Sequence, residues 1–197
     1  MRDLVLATHN KHKVEEIRLA LRGLPYRVLG ADDLPGGLPE VVEDGETLLQ
    51  NAQKKARSAA QATGLLSVSD DTGLEVDALE GAPGVYSARY AGEGCSYDDN
   101  NRKLLAEMAA FRGGQRRAAF RTVLCLREPG DREDWVDGRC DGLITEKPEG
   151  GQGFGYDPVF FVPELGKTFA QLGMEEKNRI SHRGRALAKL RLLLERW

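Results

Sequence analysis

Cysteine is scarce in this chain, and its three cysteines stand apart. Cys95, Cys125 and Cys140 lack the paired spacing of a zinc site. An odd number with no framework suits a reducing cytoplasm rather than a disulfide-stapled secreted domain. No apolar stretch approaches the roughly 20 residues of a bilayer span, so no membrane partner is expected. Charge of one sign is also missing. Lys and Arg number 28 against 31 Asp and Glu, a formal net charge of −3. No bulk basic field therefore points to nucleic acid. Repeats, low-complexity linkers and a signal peptide are not read either, since the chain enters a strand-like run directly after Met1. What remains is 197 residues, 41% hydrophobic and 30% charged. That composition predicts one globular domain, or one domain with a subdomain, and a sizeable core.

The pattern along the chain alternates. Residues 4–7 read as a short buried strand, followed by a turn at Thr8-His9-Asn10. From Lys11, apolar residues at Val14, Ile17 and Leu21 give a helical stripe that ends before Gly23. Residues 26–29 predict a second strand, 31–39 a loop, and Thr47 the cap of a long helix ending near Gly64. A strand over 65–69 comes next, then an irregular stretch over 81–94. A helix opens at Tyr97-Asp98, strands cover 117–126 and 135–144, and a short apolar run covers 159–162. Residues 182–197 close the chain as a helix with Leu187, Leu190 and Leu194 on its core face. Helices between strands in the first half and clustered strands in the second predict an α/β domain with a central mixed sheet.

Five segments could carry chemistry. Asp70 and Asp71 follow the 65–69 strand and precede Thr72-Gly73. A strand that ends in paired carboxylates, with Gly freeing the backbone to turn, suits Mg²⁺, which takes hard oxygen ligands and substrate phosphates. The same four residues also suit a solvated turn. Thr8-His9-Asn10-Lys11-His12-Lys13 sits at a strand-to-helix junction, whose free N–H groups and dipole favour an anion. Lys13 opposes that dipole, which a bound phosphate would explain. An ordinary Asn cap with solvated basic residues is the other reading. Glu43, Asp44 and Glu46 could be simple helix-start acids, or metal ligands if their loop folds towards Asp71. In residues 150–158, glycines permit close backbone approach while Phe154 and Tyr156 offer faces to a nucleobase. Around Ser181, the cations Lys177, His182 and Arg183 cluster near a helix start and again suit an anionic ligand, or a solvated face.

These segments, in this order, strongly resemble the inosine triphosphate pyrophosphatase family, also called Ham1-like. The match includes Leu6 to Lys13, Glu43-Asp44-Gly45-Glu46-Thr47, Asn51-Ala52 with Lys55-Ala56, and Ser69-Asp70-Asp71-Thr72-Gly73-Leu74. It continues through Gly81 to Tyr90, Gly153-Phe154-Gly155-Tyr156-Asp157-Pro158 and Ile180-Ser181-His182-Arg183-Gly184. The resemblance implies an elongated α/β domain spanning residues 1–197, with two inseparable lobes and a cleft between them, and a homodimer. It implies Mg²⁺-dependent hydrolysis of ITP, dITP and XTP to the monophosphate and pyrophosphate. Thr8, His9, Asn10, Lys11, His12 and Lys13 would contact the triphosphate. Asp71 would be the catalytic acceptor and a Mg²⁺ ligand, with Glu43 the second carboxylate. Thr72 would touch the substrate. Phe154, Gly155, Tyr156, Asp157, Lys177, His182 and Arg183 would form the nucleoside pocket, with Phe154 stacked on the base and Arg183 near its 6-oxo group. His9 stands where the family commonly has Gly or Ser, and Thr72 where it frequently has Ser. The rival readings are a non-catalytic nucleotide sensor on the same fold, a Maf-type pyrophosphatase of different base specificity, and, more remotely, an RNA-binding module.

Overall fold

The structure, a computed structural model, describes residues 1–197. In chain order the regular elements are β1 (Arg2–Ala7), α1 (Lys11–Ala20), β2 (Tyr26–Leu29), α2 (Leu48–Thr63) and β3 (Leu66–Val76). They continue with β4 (Pro83–Gly84), α3 (Tyr97–Glu107), β5 (Arg117–Arg127), β6 (Glu133–Ile144), β7 (Phe160–Val162), β8 (Lys167–Thr168), α4 (Met174–Ile180) and α5 (His182–Leu194). The chain folds as two compact units.

The first unit takes Met1–Asp71, Thr122–Gly138 and Arg183–Trp197. Here β1 pairs in parallel with both β2 and β3, as expected when helices cross over between strands. A parallel strand covered on both faces reads as a continuous apolar run, and Leu4-Val5-Leu6-Ala7 is one. Successive side chains point to opposite faces. Leu4 and Leu6 enter a core with Ile17 and Leu21 of α1 and with Ala186, Leu187, Leu190 and Leu194 of α5. Val5 and Ala7 pack instead on Ala59 of α2. The buried face of α2 carries Leu48, Asn51 and alanines 52, 56, 59 and 60, and the small alanines let that helix lie close to the sheet.

The second unit takes Thr72–Arg121 and Arg139–His182. Its pairings β3–β4, β6–β7 and β7–β8 are antiparallel, so the sheet is mixed. Its core gathers Leu74, Val76, Leu104, Met108, Phe120, Ile144, Phe160 and Phe169. Phe120, Phe160 and Phe169 form an aromatic nucleus, with centroids 4.7 to 5.8 Å apart.

Two readings from sequence need correction. The strand at 65–69 does not stop at the carboxylates: β3 continues through Asp70-Asp71-Thr72-Gly73 to Val76, and no turn forms there. Turn propensity is overridden because Asp70 and Asp71 are buried and held by cations, and Leu74 and Val76 anchor the strand in the second core. The α4 helix was not read from the sequence at all. It is two turns long, too short for its periodicity to stand out.

Candidate active site

In the first unit, β3 presents Asp70 and Asp71 to opposite faces, and each finds a different environment. The Asp70 carboxylate is buried and sits between Lys13 of α1 and Arg183 of α5. Lys13 Nζ pairs with Oδ1, and Arg183 Nε donates to Oδ2 at 2.8 Å. Arg183 Nη1 then donates to Glu16 Oε2, also at 2.8 Å. Two carboxylates meet two cations. Burial by itself would raise the Asp70 carboxyl, but Arg183 and Lys13 outweigh it and hold the group far below the usual carboxylate range. Burial lowers the pKa of Lys13, and the cations Arg183 and Lys55 add to that effect.

On the other side, Asp71 Oδ1 accepts from Lys55 Nζ at 2.7 Å, and Glu43 Oε2 accepts from the same nitrogen at 2.9 Å. The third acceptor of Lys55 is the Asp70 carbonyl, at 2.9 Å. Here two carboxylates share one cation. Burial pushes Asp71 up to about 6, opposed by Lys55 and reinforced by the neighbouring Glu43 carboxylate. Glu43, also penalised by burial, is nevertheless drawn below its ordinary value by Lys55. The loop holding Glu43 thus does fold towards Asp71.

These residues fit a divalent cation. The donors are hard oxygens, two carboxylates bond the one cation Lys55, and a Mg²⁺ site normally needs only one or two carboxylates plus water and phosphate oxygens. Nowhere in the chain do three or more His, Cys, Asp or Glu side chains gather as a metal-holding cluster. Glu43 and Asp71 are the pair that could hold one.

The Thr8–Lys13 segment forms the start of α1. Asn10 is its cap: Oδ1 accepts from the backbone N–H of His12 at 3.0 Å and of Lys13 at 3.3 Å, and Thr8 Oγ1 accepts from Asn10 N–H at 3.2 Å. No acidic residue lies in the first turn, so the positive helix end is not neutralised from within. His9, Lys11 and His12 are exposed. On the flank of this loop a cavity of about 170 Å³ is lined by Thr8, His9, Lys11, Arg18 and Asp33 among others.

In the second unit, Asp157 organises the glycine-rich loop. Its Oδ2 accepts from Phe154 N–H at 2.9 Å and from Lys177 Nζ at 2.7 Å. Gly153 adopts φ +78°, and a Cβ there would lie 2.0 Å from Asp157 Oδ2, so this position excludes any side chain. Lys177 Nζ also lies 5.0 Å from the Phe154 ring centroid, and Tyr97 approaches the same ring at 6.2 Å. The two aromatics of the loop differ. Phe154 is half-buried, whereas Tyr156 is buried in the core with its hydroxyl donating to Ser87 O at 2.9 Å, so its face is not offered to a base. The carbonyl of Gly155 accepts from Asn101 Nδ2 at 3.0 Å. His182 is buried and stacks on Phe120 at 4.5 Å and 15°. Thr72 is half-buried on β3. The chain passes directly between the two units at Asp71–Thr72 and at His182–Arg183.

Sequence reasoning named Lys55 only inside a motif and gave Glu16 no role. The signal for Lys55 was available: it occupies the stripe of α2 that includes Asn51 and borders the buried alanines, an odd place for a lone lysine. Glu16 gave no such signal, since its partner Arg183 is 167 residues away.

A profile of the Ham1 family matches residues 4–193. The chain is 52% identical over 191 residues to the dITP/XTP pyrophosphatase of Geobacter sulfurreducens, covering 97% of this chain and 96% of that one. It is 48% identical to the dITP/XTP pyrophosphatase of Thermus thermophilus over 95% of this chain and 89% of that one. Among solved structures, a HAM1 protein from Coxiella burnetii superposes with a TM-score of 0.91 at 39% identity, covering all of both chains. The Staphylococcus aureus Ham1 protein superposes at 0.88 with 40% identity and 98% coverage of each. With the α/β mixed-sheet fold and near end-to-end identity agreeing, the chain belongs to the Ham1 family.

Proposed function

We propose that this chain is a nucleoside triphosphate pyrophosphatase that hydrolyses the non-standard purine nucleotides dITP, ITP and XTP to the monophosphate and pyrophosphate. Relatives at about half identity over nearly their full length carry the name dITP/XTP pyrophosphatase. The observation that carries the mechanism is the unequal treatment of two adjacent carboxylates. Asp70 is neutralised by two cations, while Asp71 shares Lys55 with Glu43 and is poised near 6.

Glu43 and Asp71 would hold a Mg²⁺ ion, which supplies charge neutralisation on the triphosphate and a lowered pKa for water. Asp71 accepts the proton of the attacking water, and a carboxyl raised by burial is a better base at neutral pH than an ordinary one. Thr8 and Lys11 bind phosphate oxygens at the positive end of α1, with Lys13 adding charge, His9, Asn10 and His12 completing the loop and Thr72 touching the substrate. Arg183 acts first by fixing Asp70, since its Nε and Nη1 are held by Asp70 and Glu16. Phe154 stacks on the purine, and Gly155, Tyr156, Asp157, Lys177, His182 and Arg183 shape its pocket. Discrimination against adenine comes from donors that need a 6-oxo acceptor, each left unpaired at a cost of about 1–3 kcal/mol by an amino group.

The same resemblance supports a homodimer and a single two-lobed domain. Three cysteines outside any disulfide suit the cytoplasm. No helix is long and apolar enough to cross a membrane.

The test is steady-state hydrolysis of dITP, XTP, ITP, GTP and ATP with Mg²⁺, resolving pyrophosphate from orthophosphate. Pyrophosphate release selective for dITP, XTP and ITP is expected. Equal turnover of ATP and GTP would sink the substrate assignment, and tight dITP binding without turnover would indicate a sensor.

A further inference from the structure

The carboxylate pair needs Glu43 to stay beside Asp71, yet Glu43 lies on a loop with no regular structure of its own, residues 43–47. Side chains of α2 hold that loop: Lys55 pairs with Glu43 and Lys54 with Asp44, while the backbone of residues 45–47 is held at the start of the helix. Glu46 N–H donates to Gln50 Oε1 at 2.7 Å, and Thr47 caps the helix by accepting from Gln50 N–H at 3.2 Å. Both bonds are exposed to water, which competes for them. The bond between Gly45 N–H and Asn51 Oδ1, at 2.8 Å, is different, because Asn51 is buried on α2.

Asn51 is an uneconomical helix residue by its own measure. Its Nδ2 is buried and makes no hydrogen bond. An idle buried donor is destabilising, and asparagine is a weak helix former. What the side chain does provide is one acceptor, and that acceptor is spent on Gly45. Gly45 is fitted to the contact: a Cβ there would lie 2.6 Å from Asn51 Oδ1, 2.9 Å from Gln50 Cβ and 3.1 Å from the Asn51 nitrogen. The next residue of α2, Ala52, offers its carbonyl to Ser69 Oγ at 2.6 Å, one position before Asp70 on β3. A short relay therefore runs from β3 through Ser69 and Ala52 to Asn51, Gly45 and Glu43.

We propose that Asn51 is a positioning residue, whose Oδ1 holds the Gly45 backbone and thereby keeps Glu43 in register with Asp71 as a cation-binding pair. The inference rests on the proposed role of Glu43 and Asp71, and it assigns the step that assembles them. Because only the acceptor is used, Asn51→Asp retains what matters and Asn51→Ala removes it. Gly45→Ala attacks the same contact from the other side, its Cβ crowding Asn51 Oδ1 and the first turn of α2 while leaving the Asn51 side chain in place.

The experiment measures Mn²⁺ binding by electron paramagnetic resonance without nucleotide, and the Mg²⁺ dependence of dITP hydrolysis, for wild type, Asn51→Ala, Asn51→Asp and Gly45→Ala. Removing an outer partner of a metal ligand typically costs roughly 10–100-fold in metal affinity. Asn51→Ala and Gly45→Ala are therefore expected to weaken Mn²⁺ binding and raise the Mg²⁺ half-saturation by about tenfold or more, with a smaller loss of kcat at saturating Mg²⁺. Asn51→Asp should recover most of the affinity. A folded Asn51→Ala with wild-type Mn²⁺ affinity overturns the proposal, and so does an Asn51→Asp as weak as Asn51→Ala. If Asn51→Ala does not fold, Gly45→Ala decides alone. A wild type that binds Mn²⁺ but releases no pyrophosphate from dITP would instead refute the function, leaving the binding comparison intact.

Discussion

Asp70 and Asp71 are covalent neighbours, equally acidic by type and both buried, yet the protein treats them as different residues. The Asp70 region, between α1 and α5, contains two carboxylates and two cations and is electrically complete. The Asp71 region, on the α2 side, contains two carboxylates and one cation. A buried, balanced network is structural, since each charge depends on the others to offset its desolvation. A site short of positive charge is available to a ligand that brings some. The alternation of a β-strand creates the contrast: one step along β3 moves a side chain from one helix layer to the other. Function is thus placed beside a buried ion network, and Lys13 of that network also acts through space on Glu43 and Asp71.

The largest effect should come from Asp71→Asn. The amide keeps the volume and removes both the base and a ligand charge. The rate of pyrophosphate release should fall by about 10²–10⁴-fold, while the melting temperature of the metal-free protein holds or rises. An Asp71→Asn variant that retains activity would break the comparison at its centre.

Arg183→Ala tests the other region. It removes the cation that Asp70 and Glu16 share and leaves both carboxylates buried, and breaking such a pair typically costs about 3–5 kcal/mol. Urea unfolding should show the loss, and a double variant Asp70→Asn with Arg183→Ala should regain part of it. If Arg183→Ala unfolds with the wild-type midpoint, the Asp70 network is not structural.

How far this contrast was readable beforehand depends on the distance over which residues meet. The apolar run of β1, the Thr47 cap of α2 and the periodicity of α5 are local and were legible. So were the segments that carry the site, because their residue types and order are unusual together. The continuation of β3 was not legible, since Asp-Asp-Thr-Gly favours a turn in isolation and only burial between tertiary cations overrides it. Arg183 reads in sequence as a base contact by resemblance alone, and the carboxylates it holds, Asp70 and Glu16, lie 113 and 167 residues away. Tyr156 reads in sequence as a second stacking face, and only the packed core reveals that its ring is enclosed.

Metal removal sharpens the comparison further. In protein stripped with EDTA, Lys55→Met leaves Glu43 and Asp71 without their shared cation, so stability near pH 8 should fall. Added Mg²⁺ should restore it, by about 2.7 kcal/mol at a hundredfold excess over its dissociation constant. The same addition should do nothing to rescue Arg183→Ala. Equal rescue of both variants would mean that the cation acts generally rather than at the Asp71 region.

The smallest effect is the pH dependence of stability without metal, and the two aspartates should pull it in opposite directions. Asp70 is depressed in the folded state, so its contribution is present above the ordinary carboxylate range and is lost as pH falls through its folded value. Asp71 is raised to about 6, so the folded state binds its proton more tightly than the unfolded chain does. Its contribution is therefore present below the unfolded value near 4 and is lost as pH rises through about 6. Subtracting the urea stability of Asp71→Asn from that of wild type isolates this component. The difference should become less favourable to wild type by an amount on the order of 1 kcal/mol or more between pH 4 and 7, and a flat difference would show that Lys55 already satisfies Asp71 as fully as Arg183 and Lys13 satisfy Asp70.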